Sequence, residues 1–181
     1  MGNAAAGAGQ AELMAGNTES AREWFAKAVQ RYRESYEHAP PGSWGRPIGM
    51  LKADVLAGDW DGAARDAEWT LGQKATEADS PIGRYAGCLA LLVLGRDKEA
   101  RAVAEGLRAG DDFPSAVGEA LAMLAAQDVV GYIEAVEAVL ASFETREEYL
   151  EDMPIADTVI VLQELADRRG MKAELSSALL P

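Results

Sequence analysis

Cysteine and histidine are almost missing from this chain: Cys88 and His38 are each the only one of their kind. One cysteine excludes an intrachain disulfide and a two-cysteine redox pair, and the scarcity of both residues excludes metal sites built from several of them. Long apolar runs are lacking too. The longest, Cys88 to Leu94, falls far short of the roughly 20 residues needed to cross a bilayer, and no basic start leads into an apolar signal core. Myristoylation fails as well, because Gly2 is followed by Ala6 where Ser or Thr is required. No Gly-rich phosphate loop occurs. His38 stands at a Pro40-Pro41 turn and reads as a helix-end residue, and Cys88, inside an apolar segment, reads as a small core residue rather than a nucleophile. These absences predict a soluble cytoplasmic protein that is not an enzyme and has no metal, no cofactor and no membrane contact.

What is present suits one globular domain spanning residues 1–181. Of the 181 residues, 49% are hydrophobic and 26% charged, enough to close a single core and keep it in solution. The net charge of -13 is concentrated: between Ala109 and Asp167 there are 14 acidic residues against one basic, Arg146, while the rest of the chain is neutral overall. A field of that sign repels nucleic-acid phosphates and anionic headgroups and attracts a basic partner. Nucleic acid is therefore excluded as a ligand.

Apolar spacing is helical nearly throughout. Trp24, Phe25, Ala28, Val29, Tyr32 and Tyr36 form one face of a helix from Asn17 to Glu37, ended by His38 to Gly42. Further stripes fall at Val129, Ile133, Val136, Leu140 and Phe143, and at Ile155, Val159, Leu162 and Leu165. The last spacing predicts a helix with Pro154 in its first turn, Arg168 and Arg169 in its last and Gly170 as its stop, although Thr158 to Leu162 is β-branched enough to resemble a strand. Tyr85 to Leu94 is apolar on all sides and belongs at the centre of the fold. Short turns recur at Leu13 to Asn17, Val55 to Asp59 and Leu92 to Asp97, each with Gly at the helix end and a capping residue behind it, and a degenerate fourth sits at Ala126 to Asp128. Gly16, Ala21, Phe25 and Ala28 make this pattern resemble the tetratricopeptide repeat. That resemblance implies an all-α stack of antiparallel hairpins, about nine helices in an irregular α-α superhelix.

Partner-binding candidates follow from residue type. Trp44 and Arg46 lie in a loop before a helix, and Trp60 follows a capping Asp59; Trp and Arg are the residues that anchor interfaces, and Trp residues also plug gaps between hairpins. Glu147, Glu148, Glu151 and Asp152 fall at helical spacings inside the acidic stretch but lack a Gly-centred ligand loop for a cation. Asp157 falls in the first turn of an apolar helix, where a negative charge complements the backbone N–H groups. Ser80-Pro81-Ile82-Gly83-Arg84-Tyr85, Leu94-Gly95-Arg96-Asp97, Asp112-Phe113-Pro114, Ser142 to Leu150 and Pro154 to Val159 make residues 43 to 181 resemble the immunity protein 49 family, helical proteins of bacterial polymorphic-toxin systems. The resemblance implies a non-catalytic antidote that binds a cognate toxin, and the acidic third suits a basic one. The other open reading is a tetratricopeptide-type scaffold for a peptide. Basic residues lining a groove favour the scaffold, and an unbroken acidic patch favours the antidote.

Overall fold

The computed structural model describes residues 1–181 and holds nine α-helices, two short 3-10 turns and no strand. Four hairpins follow one another: α1 (Gly2–Met14) with α2 (Thr18–Glu37), α3 (Gly45–Ala57) with α4 (Trp60–Gly72), α5 (Pro81–Val93) with α6 (Asp97–Arg108), and α7 (Ser115–Ala126) with α8 (Val129–Glu144). After a loop comes α9 (Asp157–Asp167), and residues 168–181 continue without helix. Each of the first eight helices packs on the next, α3 also touches α1 and α5, and α9 lies across α3, α7 and α8. The all-α stack expected from the sequence is therefore present.

The recurrent turns close in one way. At Gly16, Gly58 and Gly95 the chain enters the left-handed region, and the N–H after each glycine reaches back to a carbonyl five residues earlier: Asn17 to Glu12, Asp59 to Asp54 and Arg96 to Leu91. The degenerate fourth turn does the same with Gln127 at φ 56°, its following residue Asp128 donating to Met123. Asp59 and Asp128 then cap the next helix, accepting from the N–H of Gly62 and Gly131 at 2.9 and 3.0 Å. Asn17 and Asp97 do not cap as the repeated pattern predicts. The Asn17 amide donates to Glu12, and the Asp97 carboxylate is drawn away to Arg169 and Gln127, leaving Arg96 as the capping residue.

Two further expectations are corrected. The last helix starts at Asp157, not at Pro154, because the Ala156 N–H is held by the carbonyl of Leu179. It ends at Asp167, so Arg168 and Arg169 lie beyond its last turn. Thr158 to Leu162 is helical and faces the core. Glu147, Glu148, Glu151 and Asp152 lie in the loop between α8 and α9, where Leu150–Asp152 make only a 3-10 turn. A helix there would set Glu147 against Glu151 and Glu148 against Asp152 at the i,i+4 spacing where like charges repel. Instead the Tyr149 hydroxyl donates to the Phe143 carbonyl and closes the end of α8.

Two apolar clusters result. The larger, of 35 buried residues, runs from α3 to the C-terminal segment and has the buried stretch from Tyr85 to Val93 of α5 at its middle. The smaller, Ala5, Ala21, Phe25, Ala28, Tyr32, Met50 and Ala53, joins α1 and α2 to α3. In it the Tyr32 ring is wedged between two glycines: a Cβ on Gly2 or on Gly49 would each come within 2.6 Å of the ring. Because the ring cannot yield to either side, Gly49→Ala should lower stability by about 1–2 kcal/mol, overpacking outweighing the gain in helix propensity. Gly106, exposed in α6 with nothing within 4 Å of its position for a Cβ, is the contrast. Gly106→Ala should raise stability by about 0.5–1 kcal/mol. Urea unfolding followed by circular dichroism separates the two signs.

Candidate functional site

Where α1 and α3 diverge over α2, they leave an open cleft of about 950 Å³, reached on one side by Leu150 and Asp157. Its walls mix apolar surface from Phe25, Ile48 and Leu56 with polar groups from each of the first three helices. Lys52 stands at its inner end. Its Nζ lies 3.0 Å from Asp157 Oδ2 and donates to Thr158 Oγ1 at 2.8 Å, while the Thr158 N–H donates to Asp157 Oδ1 at 2.7 Å. Burial alone would lower the Lys52 pKa, and the Asp157 carboxylate more than reverses that, holding the ammonium charged. Tyr32 bounds the same space, its hydroxyl donating to Asn3, with its pKa pushed up to about 12 by burial and then by Asp157.

Asp157 is thus a structural anchor as well as a lining residue. At the other end of α9, Arg169 makes the matching contact. Its guanidinium donates to Asp97 Oδ1 at 2.5 Å, to the Leu92 carbonyl at 2.7 Å and to the Leu165 carbonyl at 2.7 Å. Burial would raise the Asp97 carboxyl, but the hydrogen bonds from Arg169 and Gln127 outweigh it and hold the pKa below its ordinary value.

The candidate residues do not all converge. Arg46 lines the cleft, its Nε donating to Ser35 Oγ at 2.9 Å. Trp44 turns away to α5, where a Cβ on Gly83 would meet the indole nitrogen at 2.7 Å. Trp60 packs against the larger cluster under the Arg168 guanidinium, 4.2 Å from its ring centroid, and lines no part of the cleft. Both Trp residues therefore fill gaps between helices. Glu147, Glu148, Glu151 and Asp152 are exposed around Leu150, itself 60% exposed at the edge of the cleft. The loop crosses α1 at Gly7, where a Cβ would come within 3.1 Å of the Glu151 Cβ. Of the 14 acidic residues in the acidic third, Glu119, Asp157 and Glu164 form ion pairs, Asp128 caps α8 and Glu144 accepts from Ser177. The other nine, these four among them, have no side-chain partner within the chain.

Cys88 is fully buried and its thiol is pushed up to about 12. His38 is an exposed C-cap at the cleft's rim. No three His, Cys, Asp or Glu side chains gather where they could hold a metal ion. No protein-family model, curated protein or solved structure gives a significant match to this chain.

The buried acids Asp54 and Asp66 escaped the sequence reading. Asp54 occupies the core face of α3 beside Met50, Leu51 and Val55, and Asp66 that of α4 between Ala63 and Thr70. A charge placed on an apolar stripe was the available signal. Each has one fully occluded oxygen, Oδ2, with no donor in the chain, and the two carboxyls lie close enough to repel when both are ionised, so a proton retained on Asp54 supplies a donor that the site otherwise lacks. Arg33 pairs with Asp66. Burial first and Asp66 second push the Asp54 pKa up to about 8. Between the ordinary carboxylate range and that value, the folded chain keeps a proton that the unfolded chain has released, so stability contributed by this pair falls as pH rises through the window. Asp54→Asn supplies a permanent donor. It should raise the melting temperature at pH 8 more than at pH 5, as measured by scanning calorimetry.

Proposed function

We propose that this chain is a non-catalytic binding protein for a basic partner and that, on the resemblance of residues 43 to 181 to the immunity protein 49 family, the partner is a bacterial toxin neutralised in the cytoplasm. The observation that supports this reading is the loop around Leu150. An exposed apolar side chain stands among four carboxylates that satisfy nothing within the chain, which is the composition of a contact that attracts a cationic surface and then buries an anchor. Nine unspent carboxylates extend that field over the C-terminal third.

The scaffold reading keeps one observation in its favour, the cleft itself, where Arg46 carries a positive charge with no acidic partner in the chain. Elsewhere α9 covers the inner side of the stack, lying against α3 and α7. A peptide groove is left only at the α1 to α3 end.

The decisive measurement starts from the neighbouring genes: a toxin encoded there supplies the ligand for surface plasmon resonance, and the absence of one counts against the reading. Association should slow steeply between 0.01 and 0.15 M salt, as the screening length shrinks from about 30 Å to about 8 Å, while dissociation changes much less. Glu147→Lys with Glu151→Lys should cut the on-rate about tenfold without altering the circular dichroism spectrum. Glu19→Lys with Glu23→Lys, exposed on α2, is the control and should do little. Equal losses from the two pairs, or none from either, would remove the acidic loop as the contact.

A further inference from the structure

Two polar groups in the cleft are left unspent by the fold. Gln10, on the inner side of α1, is only 6% exposed, yet its carboxamide makes no hydrogen bond within the chain. Its polar atoms are not sealed in the core either, because the fully occluded unpartnered side-chain atoms belong to Asp54 and Asp66. The Gln10 amide therefore opens into the cleft. Held in place by the surrounding side chains and open only toward the cleft, the amide is a donor and acceptor ready for a ligand that enters it. The second group is Arg46, half-buried, with Nε engaged by Ser35 and both terminal nitrogens uncommitted. Of the other charged groups here, Lys52 is matched by Asp157 and Thr158 and Arg31 by Glu34 at 3.0 Å, while the exposed Met1 amino terminus and Glu37 at the rim have no ion-pair partner.

The chemistry of these two groups narrows the ligand. A carboxamide offers a donor and an acceptor side by side, the complement of a peptide group, and a guanidinium with two free nitrogens complements a carboxylate. The volume of about 950 Å³ lies at the upper end of the roughly 300–1,000 Å³ of ligand pockets, and Phe25, Ile48 and Leu56 supply apolar wall. The half-buried Arg46 guanidinium attracts an anion locally, against the negative field of the chain and the Glu37 carboxylate at the rim.

We infer that this cleft binds an extended segment of the partner protein, Gln10 pairing with a main-chain peptide group and Arg46 with an acidic side chain of the same segment. The inference rests on the reading of this chain as a protein-binding protein. It adds a second contact beside the acidic loop: Leu150 borders both, so a partner drawn to the loop has a segment within reach of the cleft.

The test is a nuclear magnetic resonance titration of the full ¹⁵N-labelled chain with two blocked tripeptides, acetyl-Ala-Glu-Ala-amide and acetyl-Ala-Gln-Ala-amide. Both should shift the Gln10 side-chain amide signals, and the Glu peptide should also shift the Arg46 Nε–H signal and bind about tenfold tighter. Arg46→Gln should erase that preference. Gln10→Met, close in volume, should weaken both peptides together. The wild-type titrations suffice to decide: unmoved Gln10 signals, or equal affinities for the two peptides, overturn the proposal. Failure here with a loop-dependent on-rate intact would remove the cleft alone. Tripeptide binding beside an on-rate indifferent to the loop would keep the cleft and remove the toxin contact.

Discussion

The stack depends on the placement of α9 along its inner side, fixed at both ends by an ion pair. Asp157 meets Lys52 of α3, and Arg169 meets Asp97 at the start of α6. The acidic residue is at the N-terminal end of the helix and the basic one just past its C-terminal end, so each also complements the helix dipole. Burial of Val159, Leu162 and Leu165, worth about 1.5–3 kcal/mol each, supplies the attraction. That attraction is indifferent to direction, and desolvation offsets much of what a buried ion pair gains. The two pairs accordingly fix which way α9 runs and where it stops. Between them Gln163 accepts from the Tyr132 hydroxyl and exchanges hydrogen bonds with the Ala173 backbone, which ties the C-terminal segment into the core.

The same placement divides the inner face. Over α3 and α7 the face is covered by the chain's own helix; past Asp157, toward α1, it is open. The open part lies over the smaller apolar cluster, whose helix α1 carries three glycines among its alanines and is held by their close approaches to Tyr32, Phe25 and Glu151. A helix rich in glycine sacrifices propensity of about 1 kcal/mol per residue and gains backbone contact in return. The cleft and the acidic loop thus share a border with the part of the molecule that has the smallest core.

Much of the fold was legible because its signals are local. Left-handed glycines at helix ends, an aspartate at the first position of the next helix and an apolar stripe every three or four residues each act within one or two turns, as Gly58, Asp59 and the α5 run demonstrate. The same local logic failed where a distant partner competed. Asp97 had the position of a cap, but Arg169, 72 residues away, took its carboxylate. Glu147 to Asp152 had helical spacing, but like charges at i,i+4 and the Tyr149 hydroxyl favoured a loop. Trp44 and Trp60 had the composition of interface anchors and became spacers between helices. Of the candidate site, Arg46, Asp157 and the acidic loop were singled out by type; Gln10 and Lys52 were not, because a glutamine in an alanine-rich helix and a lysine in an amphipathic one carry no sign of the cavity they meet.

By itself, then, the sequence determined the helical class, the hairpin turns, the burial of α5 and the segregation of negative charge into the last third, all of which follow from spacing and composition. Only the tertiary structure decided the path of α9, the division of the inner face into covered and open parts, and the identity of the polar groups left unspent. The physical reason is the range of the interactions. A cap or a stripe is read within a turn or two, whereas the pairs that decide these features join residues 105 and 72 positions apart, Lys52 with Asp157 and Asp97 with Arg169.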